Sequence, residues 1–150
     1  MHKSMPLLAA SLLMSAALPA FAADDAPSVQ DCWTPAFLAG DADAVSMCYA
    51  EDAVLYLPGA PKLEGRAAIR DGYVDFFSHV TIKSMVLESA GHQEMGDYSA
   101  SWGTFTLVTV EREGGRETTE IGRYTDVSRL ENGHWVYVVD HASDDPAPGM

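Results

Sequence analysis

Positive charge is scarce in this chain. Nine Lys and Arg face 22 Asp and Glu over 150 residues, for a formal net charge of −13. A chain this acidic is a poor partner for nucleic acid or for an anionic membrane surface. The acids are spread along the sequence, so they read as solvated surface and not as an acidic tail. Cysteine is nearly missing, with two residues, Cys32 and Cys48. No Cys-x-x-Cys, His-x-His or His-x-x-x-His pattern occurs, so neither a metal nor a cofactor is expected. His79, His92 and His134 stand singly. No glycine loop for phosphate, no Ser or Cys nucleophile motif, no repeat and no low-complexity stretch is present.

One long apolar run exists, and it lies at the start. Residues 1–22 carry a short basic beginning (His2, Lys3), an apolar run from Met5 to Leu18, and Ala20-Phe21-Ala22. The run is too short for a permanent bilayer span, and its closing triplet fits a secretory cleavage site. The expectation is a signal peptide over 1–22, one domain over 23–143 and a flexible tail over 144–150, in a periplasmic or secreted protein without a membrane anchor. Without Lys3, eight Lys and Arg remain against 22 acids, a net charge of −14.

In an oxidising compartment an even pair of cysteines invites a disulfide. Cys32 and Cys48 fall on two predicted helices joined at Gly40-Asp41, at similar distances from the turn. A bridge is expected, contributing about 3 kcal/mol by the chain-entropy argument. Two buried thiols are the alternative.

Ser28 with Asp31 reads as an N-cap, and Val29, Cys32, Trp33, Ala36 and Phe37 recur at helical spacing. A second helix presents Ala44, Val45, Cys48 and Tyr49. A short strand from Ala53 to Leu57 stops at Pro58-Gly59. A third helix opens at Gly65, with Ala68, Ile69, Gly72, Tyr73, Phe76 and Phe77 on one side. From Val80 the period becomes two: strands over Val80–Gly91, Tyr98–Arg112, Glu117–Leu130 and His134–Ala142. Helices first and a long antiparallel sheet afterwards is an α+β layout.

The last two strands hold the chemistry. Asn132-Gly133 supplies their turn. Asp126 and Asp140 interrupt otherwise apolar or small positions, one on each strand. A carboxylate within a buried strand is costly unless it is paired, hydrogen-bonded or kept neutral. Strand alternation with Asp126 inward puts Gly122, Tyr124 and Ser128 inward, and Val136, Val138, Asp140 and Ala142 on the facing strand. The two carboxylates then lie within roughly 8 Å.

Tyr49-Ala-Glu-Asp-Ala-Val-Leu-Tyr-Leu-Pro58, then Glu64-Gly-Arg-Ala-Ala-Ile-Arg70, then the hairpin resemble the nuclear transport factor 2-like superfamily. That group includes SnoaL-like polyketide cyclases, steroid isomerases and the association domain of calmodulin-dependent kinase. The resemblance runs from about Ser28 to Ser143. It implies three helices closing a curved, mostly antiparallel sheet into a cone with an internal pocket, commonly in a homodimer. By the same resemblance Asp126 matches a protonated Asp of the steroid isomerases, and Tyr49 and Tyr73 match tyrosines of their hydrogen-bonded network. Trp33 falls at their oxyanion tyrosine and Leu57 at their catalytic base. Leucine takes no proton, so steroid isomerisation by that route is not expected.

The expected function is binding of a small apolar ligand in the cone. Trp33, Tyr49, Leu57, Tyr73, Tyr124 and Val138 form its walls, and Asp126 and Asp140 act as an acid–base couple for proton transfer or water addition. In the alternative, the carboxylates only satisfy buried polar groups and the chain is an assembly module. Trp135, Tyr137 and His141 then lie on the outer sheet face as its interface. Trp102 is expected in the core or pocket wall.

Overall fold

The structure, a computed structural model, describes residues 26–145. The expected signal peptide and residues 146–150 of the expected tail lie outside the described residues.

The first helix, α1 (Val29–Ala39), starts where the sequence signals it. Ser28 and Asp31 cap each other reciprocally, and Gly40 ends the helix in the left-handed region at φ 66°. Asp41 accepts from the Ala44 amide and opens α2 (Ala42–Met47). Cys32 and Cys48 are joined in a disulfide with their Cα atoms 5.9 Å apart. β1 (Tyr49–Tyr56) then begins at once, so Tyr49 belongs to a strand and not to the second helix. β2 (Leu63–Glu64) is a short edge piece, and α3 (Arg66–His79) follows Gly65. β3 (Val80–Met95), β4 (Tyr98–Glu111), β5 (Glu117–Glu131) and β6 (His134–Asp144) complete the chain. Asn132 and Gly133 both have positive φ, 52° and 80°, as the tight turn between β5 and β6 requires.

The six strands form one sheet in the order β2-β1-β6-β5-β4-β3, and the sheet is not closed into a barrel. β1 runs parallel to β6; every other neighbour is antiparallel. The helices cover the concave face. Val29, Trp33 and Phe37 of α1 and Ile69, Tyr73 and Phe77 of α3 are spaced by four, so each helix buries one stripe. Trp33 stacks on Phe37 at 4.4 Å between ring centroids, and Tyr73 stacks on Phe77 at 5.7 Å. Phe105 and Leu107 of β4 meet them from the sheet. Gly122 makes this packing possible, since a Cβ there would stand 2.3 Å from the Phe105 ring.

One irregularity re-aims β6. Asp126 pairs with Asp140 and Val127 with Val139, but Ser128 pairs with Tyr137. Val138 is therefore an extra residue, a bulge, and side-chain parity flips across it. Tyr137 and Trp135 turn to the concave side, where both are buried. Val138 drops out of the cavity wall. The regular alternation expected from sequence holds only for Asp140 and Ala142. At the other end, β6 extends to Asp144, and Asp145 donates its amide to Ile121 and pairs with Arg123, so these two residues are tied down. Trp102 faces outward, 41 % exposed, and is not part of the core.

Candidate functional site

A row of cross-strand partners, polar but for its first member, crosses the concave face. Leu55, Asp140, Asp126, Ser101 and His92 are successive cross-strand partners on β1, β6, β5, β4 and β3. Asp126 and Asp140 sit directly opposite each other at its centre. Such pairs hold their Cβ atoms about 4.5–5.5 Å apart.

Each carboxylate is held differently. The Trp33 indole N–H donates to the Tyr73 hydroxyl at 3.2 Å, the Tyr73 and Tyr49 hydroxyls lie 2.9 Å apart, and Tyr49 donates to Asp140 Oδ2 at 2.6 Å. A tyrosine hydroxyl has one proton. Because Tyr49 spends its proton on Asp140, Tyr73 must donate to Tyr49. The chain is thus directional: Trp33 to Tyr73 to Tyr49 to Asp140. Asp126, 2 % exposed, accepts a single bond from Ser101 Oγ at 2.6 Å. Asp126 Oδ2 and Asp140 Oδ1 have no hydrogen-bond partner among the described residues.

Burial pushes the Asp126 carboxyl up to about 7; the Ser101 hydrogen bond opposes the rise and the charge of Asp140 adds to it. Burial likewise raises Asp140 to about 6, against the lowering pull of the Tyr49 hydrogen bond and of His141. Tyr49 is held far above its ordinary range by burial and then by the charge of Asp140. At about pH 6.5 the pair therefore carries about one proton, mainly on Asp126.

The pair opens into a cavity of about 300 Å³. Its walls are apolar: Trp33, Phe37, Leu55, Phe76, Met85, Leu87, Phe105 and Leu107, with Leu57 and Pro58 also in the lining. Among the predicted site residues, the lining includes Trp33, Leu57, Tyr73, Tyr124, Asp126 and Asp140. Tyr49 is fully buried behind the lining, where it contacts Asp140, Tyr73 and Tyr137. Val138 does not line the cavity, because it is the bulge residue. Tyr137 does line it, for the same reason, although sequence parity places it outside. Of the three expected interface residues only His141 points outward, against the edge of Tyr56 with ring centroids 5.8 Å apart. Trp135 borders a second, more polar cavity of about 280 Å³ with Ser28, Ser89, His92, Glu94, Ser99, Ser101 and Ser128.

Sequence reasoning missed Ser101, Gln30 and Glu120. Ser101 is one serine among several, and only the β4–β5 register puts it beside Asp126. Gln30 donates to the Tyr124 hydroxyl at 3.4 Å and borders both cavities. Glu120 faces the cavity, and burial, then Asp144, raises its carboxyl. Among the described residues no group of three or more His, Cys, Asp or Glu could hold a metal, and no helix is long and apolar enough to cross a membrane.

Known structures share this architecture. A ketosteroid isomerase-like protein from Erwinia carotovora atroseptica is 21 % identical with a TM-score of 0.71, over 79 % of this chain and 92 % of that one. A nuclear transport factor 2-like protein with a cystatin-like fold from Novosphingobium aromaticivorans is 19 % identical with a TM-score of 0.61, over 81 % and 79 %. A nuclear transport factor 2-like protein of unknown function from Shewanella oneidensis is 17 % identical with a TM-score of 0.62, over 77 % and 93 %. At these identities the likeness establishes the fold alone. No curated protein matches the chain significantly in sequence. The SnoaL-like domain family, however, matches residues 29–138, most of the chain, and the protein belongs to that family within the nuclear transport factor 2-like superfamily.

Proposed function

We propose that the protein binds a small, largely apolar molecule in the cone and moves a proton, or adds or removes water, at that molecule's polar end. The observation that carries this reading is the opposed pair Asp126 and Asp140 in one apolar cavity, pushed up to about 7 and about 6. Asp126, the group that keeps its proton longer, is the acid. Asp140, whose charged form the donor chain through Tyr49 favours, is the base. Two carboxylates with separated proton affinities suit general acid–base work, a contribution of about 10²–10⁴-fold in rate. Steroid isomerisation by the usual base is not proposed, because Leu57 stands where that base is expected.

The first test is thermal unfolding against ketones, phenols, lactones and amines, for the parent and for Asp126→Asn. A ligand at 100 times its Kd adds about 2.7 kcal/mol. A gain in the parent from any class supports the pocket reading, a smaller gain in the variant assigns Asp126 as the polar anchor, and no gain from any class removes the reading.

A second reading concerns the convex face. Val86, Tyr98, Trp102 and Ile121 are 41–56 % exposed there, a wide apolar surface of the kind that marks an interface. A second copy of the chain is the proposed occupant. Trp102→Glu should then lower the mass seen by sedimentation equilibrium without changing ligand response. Tyr137 is unsuited to that test, since it lies inside. The disulfide fits export to an oxidising compartment, the localisation we propose.

A further inference from the structure

All eight Lys and Arg among the described residues are engaged away from the cavity. Lys62, Arg66, Arg70, Lys83, Arg116, Arg123 and Arg129 pair with acids outside it. Arg112 donates to the Phe77 carbonyl. The cavity lining holds three carboxylates, Glu120, Asp126 and Asp140, and no Lys, Arg or His. The central acids therefore have no counter-ion in the cavity lining; the charge that lowers Asp140 comes from His141, which points to the opposite face. Buried charges are ordinarily paired, and these face a void large enough for a ligand.

The hydrogen-bonding groups lean the same way. The donors of Trp33, Tyr73 and Tyr49 are consumed within the chain that ends on Asp140, and the Ser101 hydroxyl is consumed by Asp126. At pH 8, above the values of about 7 and about 6 for the two carboxyls, the polar centre offers a ligand two carboxylate oxygens, Asp126 Oδ2 and Asp140 Oδ1, which accept. Tyr124 and Tyr137 add neutral hydroxyls to the wall but no positive charge. An anion entering here meets like charge and few donors. A protonated amine meets two acceptors, and the aromatic rings of Trp33, Tyr73, Phe105, Tyr124 and Tyr137 in the surrounding wall favour cations at their faces. The net charge of −14 after removal of residues 1–22 adds a field of the same sign.

We propose that the cavity selects lipophilic cations, compact hydrocarbon bodies bearing one protonated amine, over neutral and anionic molecules of the same shape. This rests on the ligand-binding reading above and names the class of molecule that fills the site.

Isothermal titration at pH 8 with 1-adamantylamine, 1-adamantanol and 1-adamantanecarboxylate tests it, because the three share one body and differ in charge. The amine should bind at least tenfold more tightly than the alcohol, and the carboxylate should give no measurable heat of binding. In the double variant Asp126→Asn/Asp140→Asn, the amine should lose tenfold or more while the alcohol changes less than threefold. Each Asn keeps an oxygen to accept from Ser101 or Tyr49, so the fold has no reason to fail. An alcohol or carboxylate that binds as tightly as the amine overturns the charge selection and leaves the pocket reading standing. An amine indifferent to the double variant does the same. Silence from all three compounds overturns both.

Discussion

Two aspartates face each other across two strands, yet their surroundings have little in common. Asp140 lies at the end of a buried relay that reaches through Tyr49 and Tyr73 to Trp33, so residues from β1, α3 and α1 all fix it. Asp126 has one hydroxyl, from Ser101, a residue that also borders the second cavity. The relay side is braced by three side chains; the serine side is held by one. Burial raises both carboxyls, and the Tyr49 and Ser101 hydrogen bonds each oppose that rise.

Removing one acid breaks the comparison most strongly. A carboxyl whose folded value is raised binds protons more tightly folded than unfolded. It contributes stability that is fully present below its unfolded value and lost as pH rises through the folded one. For Asp126, from 3.8 to about 7, the loss amounts to about 4 kcal/mol at about 1.4 kcal/mol per pH unit. For Asp140, from 3.8 to about 6, it is about 3 kcal/mol. Urea unfolding of the parent should therefore show stability falling between pH 4 and pH 8. Asp126→Asn should be more stable than the parent at pH 8.5 by up to about 4 kcal/mol and gain nothing at pH 3.5. A parent with a flat profile over that range would remove the case for buried, strained carboxyls.

The disulfide is the next lever, and it acts on one side only. Cys32 precedes Trp33 and Cys48 precedes Tyr49, so the bridge anchors both the first donor of the relay and its last. The double variant Cys32→Ser/Cys48→Ser should lose about 3 kcal/mol, as expected for a loop of this length. Carbon-13 NMR of the aspartate side chains should show Asp140 titrating at a changed pH while Asp126 stays near 7. Equal movement of both would mean that the bridge stabilises the fold without favouring the relay.

Tyr49→Phe cuts the relay at a point. It deletes the donor to Asp140 and leaves Tyr73 without its acceptor, at a cost of about 1–3 kcal/mol. The Asp140 carboxyl should rise above 6, since the bond that opposed its rise is gone. An unmoved Asp140 would show that water replaces the hydroxyl and that the relay is decoration.

Much of this arrangement is legible in the sequence, for a physical reason. Caps, turns and helical spacing are local: Ser28 with Asp31, Gly40, Asp41 and Asn132-Gly133 act through neighbours in the chain, and each ends or begins an element where the residue types require it. Asp126 and Asp140 stand out because a carboxylate among valines contradicts its setting. What escapes is register. Val136 to Val139 holds three valines and a tyrosine, and any of them could be the bulge without changing the pattern of apolar and polar residues. The choice of Val138 is made by pairing with β5, and it carries Trp135 and Tyr137 from the outer face to the inner one. Ser101 escapes for the same reason, since its neighbour Asp126 lies across a strand and not along the chain.

The smallest expected effect sharpens the contrast. Ser101→Ala removes the only hydrogen bond to the Asp126 carboxyl among the described residues and little else, because serine and alanine differ by one oxygen. That bond favours the charged carboxylate, so its loss should raise Asp126 above 7 and leave Asp140 alone. The cost should depend on pH. Below about 6 the carboxyl is protonated, the lost bond is an ordinary neutral one, and the variant should lose about 0.5–1 kcal/mol. Above about 8 the carboxylate is charged and loses its donor, and the penalty should grow to about 1.5–3 kcal/mol. Denaturation of parent and variant at pH 5.5 and pH 8.5 separates the two. A penalty equal at both values would mean that Ser101 packs against Asp126 without setting its proton affinity, and the asymmetry between the two acids would then have to come from the relay side alone.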